Sequence, residues 1–170
     1  MSLTFAILTV SDRSSSGTRE DLSGPALSEA VERAGWVVSE TAIIPDEFQQ
    51  IAEQLITWAD SGKFQIILTT GGTGFAPRDI TPEATESVLD RQTPGLAEAM
   101  RAGSLKITSH AMLSRAAAGI RKNTLIINLP GSPKGALENF QIVAPVLPPA
   151  IQLLDNDDLA EAGHRPSRAV

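Results

Sequence analysis

The sequence predicts an α/β fold: a three-layer α/β/α sandwich with a mostly parallel sheet between two helical layers. Two observations predict it. Short apolar, partly β-branched runs alternate with segments whose apolar residues recur every three or four positions, so strands alternate with crossover helices. Two of the runs, FQIILT at 64–69 and NTLIINL at 123–129, stay apolar nearly throughout, as strands buried on both faces do.

Each element follows in order. LTFAILTV, 3–10, is the first strand. After a polar loop, Pro25 stands at a first helical position; Ala26, Leu27, Ala30, Val31 and Ala34 share one face, and Gly35 ends the helix. WVVSETAII, 36–44, is a strand stopped by Pro45. Phe48, Ile51, Leu55 and Trp58 recur at helical spacing, and Gly62 closes that helix. After the strand at 64–69, a helix is expected from Pro82 with Thr81 as its N-cap, and a short helix after Pro94. LSRAAAGIR, 113–121, reads either as a close-packed helix with exposed arginines or as an anion contact through Ser114 and Arg115. The strand at 123–129 leads to a helix opened by Ser132-Pro133, and AIQLL forms a last helical segment. Residues 1–154 are expected to be one domain and 155–170 a mobile tail.

Composition narrows the function classes. With 42% hydrophobic and 20% charged residues the chain is neither disordered nor membrane-spanning in character. Zero Cys excludes a disulfide, a thiolate zinc site and a thiol nucleophile, and fits a cytosolic (cytoplasmic) enzyme. A formal net charge of −6 argues against a nucleic-acid partner, so an anionic ligand must be held locally. The two histidines, His110 and His164, do not suggest a metal site, and no basic leader precedes the first apolar run.

The unusual loops all follow strands. SDRSSSGTRED follows the first strand, PDE the second, TGGTGFAPRD the third and NLPGSPKG completes the late one. In open α/β sheets ligands bind at the carboxyl ends of the strands, so these loops converge on one candidate site. Gly71, Gly72 and Gly74 permit close approach of a ligand to backbone amides. Yet the loop is no Walker A, lacking Gly-Lys-Ser/Thr, and no dinucleotide fingerprint, because Pro77 stands where the third glycine belongs. Asp79 is either a turn residue or a carboxylate that holds Mg²⁺ or a ligand amine near phosphate. Asp46 is either a helix cap or a second such carboxylate. Ser11 and Asp12 either contact a polar ligand or belong to a solvated loop. Pro130 and Gly131 read first as a turn.

TTGGTGFAPRDITPEAT, together with LTVSDRSSSG, IIPDE, TPGL and SLKITSHAMLSRAAAGIRKNTLIINLPGSPKG, resembles the molybdopterin adenylyltransferases: the MogA-type proteins and the homologous G domains of plants and of animal gephyrin. The resemblance covers about residues 5 to 150. It implies adenylylation of the terminal phosphate of molybdopterin, with ATP and molybdopterin as substrates, Mg²⁺ as cofactor and pyrophosphate as product. It further implies a homo-oligomer, a trimer, and hand-over to a molybdenum-insertion protein. Carried onto this sequence, Asp46 and Asp79 become the catalytic and metal residues. Gly71, Gly72, Thr73 and Gly74 become the glycine loop, Ser11, Asp12 and Gly17 the first-strand loop, Ser104 and Ser114 the pterin-side serines, and Pro130 and Gly131 the late turn. Pro133 departs from the plant form, which carries Asn there. The alternatives are a MoaB-type molybdopterin-binding protein and a scaffold module.

Overall fold

The computed structural model describes residues 2–155; the segment expected as a tail lies outside them apart from Asp155. Six strands form one sheet in the order β2-β1-β3-β6-β5-β4. They are β1 (Thr4–Val10), β2 (Val37–Ile44), β3 (Ile66–Thr70), β4 (Arg91–Gln92), β5 (Ala118–Arg121) and β6 (Thr124–Leu129). The helices are α1 (Asp12–Ser15), α2 (Ser23–Arg33), α3 (Phe48–Asp60), α4 (Thr81–Glu86), α5 (Pro94–Leu105), α6 (Pro133–Val143) and α7 (Leu147–Leu154).

The four strands read from the sequence pair in parallel, β2 with β1, β1 with β3 and β3 with β6. The expected mostly parallel sandwich is therefore the fold. Strand side chains alternate between faces, and the alternation divides the core in two. Phe5, Ile7, Ile66, Leu68, Leu125 and Ile127 pack with α2, α5, α6 and α7 on one face. Ala6, Leu8, Val10, Ile67 and Ile126 pack with α3 and α4 on the other. Each fully buried Leu or Ile contributes about 1.5–3 kcal/mol, and the polar residues buried in β1, β3 and β6 are threonines and one asparagine.

Asn128, on β6, is 0% exposed. Its Nδ2 donates to Thr69 Oγ1 at 2.9 Å and to Thr85 Oγ1 at 2.8 Å, and its Oδ1 accepts from the Ala117 amide at 3.1 Å. One satisfied buried amide thus ties β3, β6, α4 and the chain before β5 together beneath the loops.

The sequence reading is corrected at four places. Residues 113–121 are not a helix: Ser109–Leu113 is a 3-10 turn, and Ala118–Arg121 is a strand antiparallel to β6. Gly119 lies where a Cβ would come 2.6 Å from the Arg91 carbonyl oxygen, and Lys122 takes a φ of 51° in the two-residue turn that reverses the chain. Strand β4, two residues long, pairs with β5 and carries too little pattern to be read from sequence. Helix α2 begins two residues before Pro25, because the Asp21 carboxylate accepts from the amides of Ser23 and Gly24, both at 3.1 Å, and so caps it. Thr81 does not cap α4: it lies inside the helix, and its buried hydroxyl has no hydrogen-bond partner among the described residues.

Candidate functional site

The chain passes from β1 to β2 on one side and returns to β3 on the other, so the strand order reverses at β1. The helical crossovers diverge there and leave a crevice at the carboxyl ends. A cleft of about 560 Å³ occupies it, lined by Ser11, Asp12, Asp46, Gly71, Gly72, Asp79 and Gly131 among others. The four loops singled out in the sequence all contribute to it.

Its walls are held by side chains reaching between loops. The Asp12 amide donates to Asp46 Oδ2 at 2.8 Å, and the Asp46 amide donates back to Asp12 Oδ1 at 3.0 Å. Asp46 therefore does not cap α3; one of its carboxylate oxygens, Oδ2, is spent on the neighbouring loop. Arg78 donates to both oxygens of Asp12, at 3.0 and 2.9 Å, and to Glu47 Oε1 at 2.8 Å. These contacts cross the cleft mouth from the β3 loop to the β1 and β2 loops.

The electrostatics of the two aspartates differ accordingly. Hydrogen bonding from Arg78 holds the Asp12 carboxyl below its ordinary range, against a smaller opposing effect of burial. Burial pushes the Asp46 carboxyl up, and the charges of Asp12 and Asp79 add to that push, while the Asp12 amide opposes it. Asp46 Oδ1 accepts no hydrogen bond among the described residues. Asp79 Oδ2 accepts from the Ala76 amide at 3.0 Å, which is the turn role the sequence allowed it.

The glycine loop runs between these carboxylates. Gly71 has φ 106°, and a Cβ there would lie 2.2 Å from the Val10 carbonyl oxygen, so β1 and the loop can approach only across a glycine. Gly72 has φ 64°, and a Cβ there would meet Thr81 Oγ1 at 2.3 Å and Asp46 Oδ1 at 3.0 Å. The amides of Gly72, Thr73, Gly74, Gly131 and Ser132 donate to no protein acceptor among the described residues. Such a row of free amides favours anions.

Arg115 fixes the loop from below. Its Nε donates to the Gly74 carbonyl at 2.7 Å, its guanidinium also donates to the Asp79 carbonyl and pairs with Glu83, and its amide donates to the Thr73 carbonyl at 2.9 Å. The anion-contact reading of Arg115 is corrected: its donors are committed to the backbone of the loop that carries Asp79.

A second cleft, about 270 Å³, opens on the other side of the same loop. It takes Thr73, Gly74, Ser104, Ser114 and Pro130 from the sequence-predicted set, and adds Asn139 and the apolar Ala111 and Leu113. The two clefts meet at residues 72–74 and 130–132, and Ser132 lines both. Gly17 stands apart: it is exposed, turns the chain with φ 76° and lines neither cleft. Sequence reasoning missed Asp21, Asn139 and the commitment of Arg115. Only Asp21 had a readable signal, an Asp two residues before a Ser-Gly-Pro helix start.

The donor chemistry of the larger cleft suits a hard cation. Asp46 and Asp79 offer carboxylate oxygen alone, and the glycines leave open the space beside Asp46 Oδ1 and Asp79 Oδ2 that a Cβ would fill. Magnesium takes one or two carboxylates and completes its shell with water and substrate phosphates, a demand that two carboxylates meet.

The family described as "Probable molybdopterin binding domain" matches residues 6–149, which include every residue lining either of these two clefts. The chain belongs to that family. Among its relatives, the molybdenum cofactor synthesis protein cinnamon of Drosophila melanogaster is 44% identical over 160 residues, covering 92% of this chain. The chain spans only 26% of cinnamon's length. A molybdopterin adenylyltransferase of Helicobacter pylori is 44% identical over 154 residues, covering 88% of this chain and 86% of that protein. The crystal structure of the molybdopterin biosynthesis enzyme MoaB from Thermus thermophilus superimposes with a TM-score of 0.86 at 48% identity, covering 91% of this chain and 98% of that one. As a molybdopterin-binding-family domain, the chain keeps the sheet and the layers of that structure. No helix among the described residues is long and apolar enough to cross a membrane.

Proposed function

We propose that this chain acts in molybdenum cofactor biosynthesis as a molybdopterin adenylyltransferase. A phosphate oxygen of molybdopterin attacks the α-phosphorus of ATP, the bond from that phosphorus to the bridging oxygen breaks, and pyrophosphate leaves. The observation that carries this is the seam between the two clefts. A larger polar cleft and a smaller, more apolar one share a row of unpaired backbone amides. A nucleotide in the first and a pterin in the second would bring two phosphate groups together at that seam. The relatives named as adenylyltransferases support the reading.

The chain's own part is positioning and charge neutralisation. The amides of 72–74 and 131–132 face phosphate. Asp46 and Asp79 would hold Mg²⁺, which neutralises phosphate charge when bound. Arg115 keeps Asp79 and the glycine loop in register. No general base is required, because the attacking phosphate is already ionised.

Incubating the purified chain with molybdopterin, ATP and Mg²⁺ tests the proposal through pyrophosphate release. Molybdopterin binding without pyrophosphate release would instead favour a MoaB-type binding role, which the likeness to the Thermus protein keeps as the second reading. A homotrimeric assembly, a cytoplasmic location and delivery of the product to a molybdenum-insertion protein belong to the same proposal. A clean monomer in a sizing measurement would count against the trimer.

A further inference from the structure

Asn139 lies on α6 at the wall of the smaller cleft and is 6% exposed. Its Nδ2 donates to the Gly135 carbonyl, one turn earlier, at 2.8 Å and to Ser104 Oγ at 3.1 Å. A carbonyl can only accept, so the Gly135 contact settles which end of the amide is nitrogen. Both Nδ2 protons are thereby used, and Oδ1 receives no donor among the described residues. Nor is Oδ1 among the sealed, unpartnered atoms of the interior, so it is reached through the cleft that Asn139 lines. Ser104, 8% exposed, accepts from Asn139 and keeps its own hydroxyl proton without an acceptor among the described residues. A fixed acceptor and a free donor therefore stand side by side in a cleft of about 270 Å³, a size suited to a bicyclic heterocycle.

We propose that Asn139 and Ser104 together read the lactam edge of the pterin ring. The ring N3–H donates to Asn139 Oδ1, and the 4-oxo oxygen accepts from the Ser104 hydroxyl. This rests on the pterin reading of the smaller cleft given above. The pair determines specificity because a 4-amino pteridine inverts both contacts. Its N3 is a bare acceptor facing Oδ1, and its 4-amino group puts a donor where the Ser104 hydroxyl proton needs an acceptor. A site built to pair with one edge leaves its buried polar atoms unpaired with the other, and rejects it.

The test measures equilibrium binding of 6-hydroxymethylpterin and of its 2,4-diamino counterpart to the full chain, read by ligand fluorescence. The 4-oxo compound is expected to bind more tightly by about tenfold or more. Asn139→Ala and, separately, Ser104→Ala should each erase most of that preference while leaving binding of a non-hydrolysable ATP analogue unchanged. Having two variants guards against one that fails to fold. Equal binding of both pteridines by the unaltered chain, or full preference retained in a folded variant, overturns the edge reading and leaves pterin binding standing. Failure of the unaltered chain to bind either pteridine overturns the edge reading together with the pterin assignment beneath it.

Discussion

Asp12 and Asp46 each donate a backbone amide to the other's carboxylate, at 2.8 and 3.0 Å, so the loops after β1 and β2 are held as one wall of the cleft. The exchange leaves Asp46 Oδ1 free beside Gly72, with the Asp12 and Asp79 charges acting on it.

That arrangement opposes stability to function at Asp46. Burial raises its carboxyl above the ordinary range. A carboxyl raised in the fold costs nothing while it is protonated, below its unfolded value, and destabilises as pH climbs through the folded value and forces it to ionise. Asp46→Asn should therefore melt at a higher temperature than wild type at pH 7, with the difference shrinking below about pH 4. The same variant should lose adenylylation by about 100-fold or more. Melting curves across pH, paired with pyrophosphate release, check both halves.

Asp79→Asn should fold and bind pterin normally, because an asparagine oxygen still accepts from the Ala76 amide. ATP-dependent adenylylation should be lost. Product formed at the wild-type rate would rule out a metal-holding role for this carboxylate.

Removing the Arg115 guanidinium should loosen the loop rather than the fold. Arg115→Ala leaves the Gly74 and Asp79 carbonyls without their donor. Activity is expected to fall by about 10- to 100-fold, since small misplacements near the chemistry cost that much. Arg115→Lys should not restore it, as one ammonium cannot span the same acceptors. Limited proteolysis should show faster cleavage within 71–79.

Gly71→Ala meets two penalties at once, a φ of 106° and a Cβ placed 2.2 Å from the Val10 carbonyl. A loss of about 2 kcal/mol or more is expected in urea unfolding. A change within error would mean that β1 and the loop can move apart at little cost.

Arg78 should set the titration of Asp12. Its hydrogen bonds are the largest cause of the lowered carboxyl, so Arg78→Ala should let Asp12 titrate at higher pH, observable by carboxyl NMR. A carboxyl depressed in the fold contributes stability that is present above its unfolded value and lost as pH falls through the folded one. The variant should consequently lose less stability on acidification than wild type.

Much of this was legible in the chain itself. The strands β1, β2, β3 and β6 and the helices between them follow from period and punctuation, because burial on a given face repeats at every second or every third to fourth residue. Their alternation places the loops holding Asp12, Asp46, Gly71 and Gly131 at one sheet edge. Antiparallel β5 was not legible, since AGIR carries no strand pattern and Gly119 is needed for the close approach of Leu89 and of β4. The partners of the site residues were not legible either. Arg78 and Asp12 are 66 positions apart, Arg115 and Gly74 are 41, and Asn139 and Ser104 are 35. Whether an arginine meets a phosphate or a loop carbonyl, and which end of an asparagine faces a cleft, depends on strand register and helix packing across such distances. The sequence by itself determined the kind of fold, the edge where the candidate site lies and the residue types gathered there. Only the tertiary structure decided which of those side chains are committed to holding loops and which atoms, like Asp46 Oδ1 and Asn139 Oδ1, accept no hydrogen bond among the described residues.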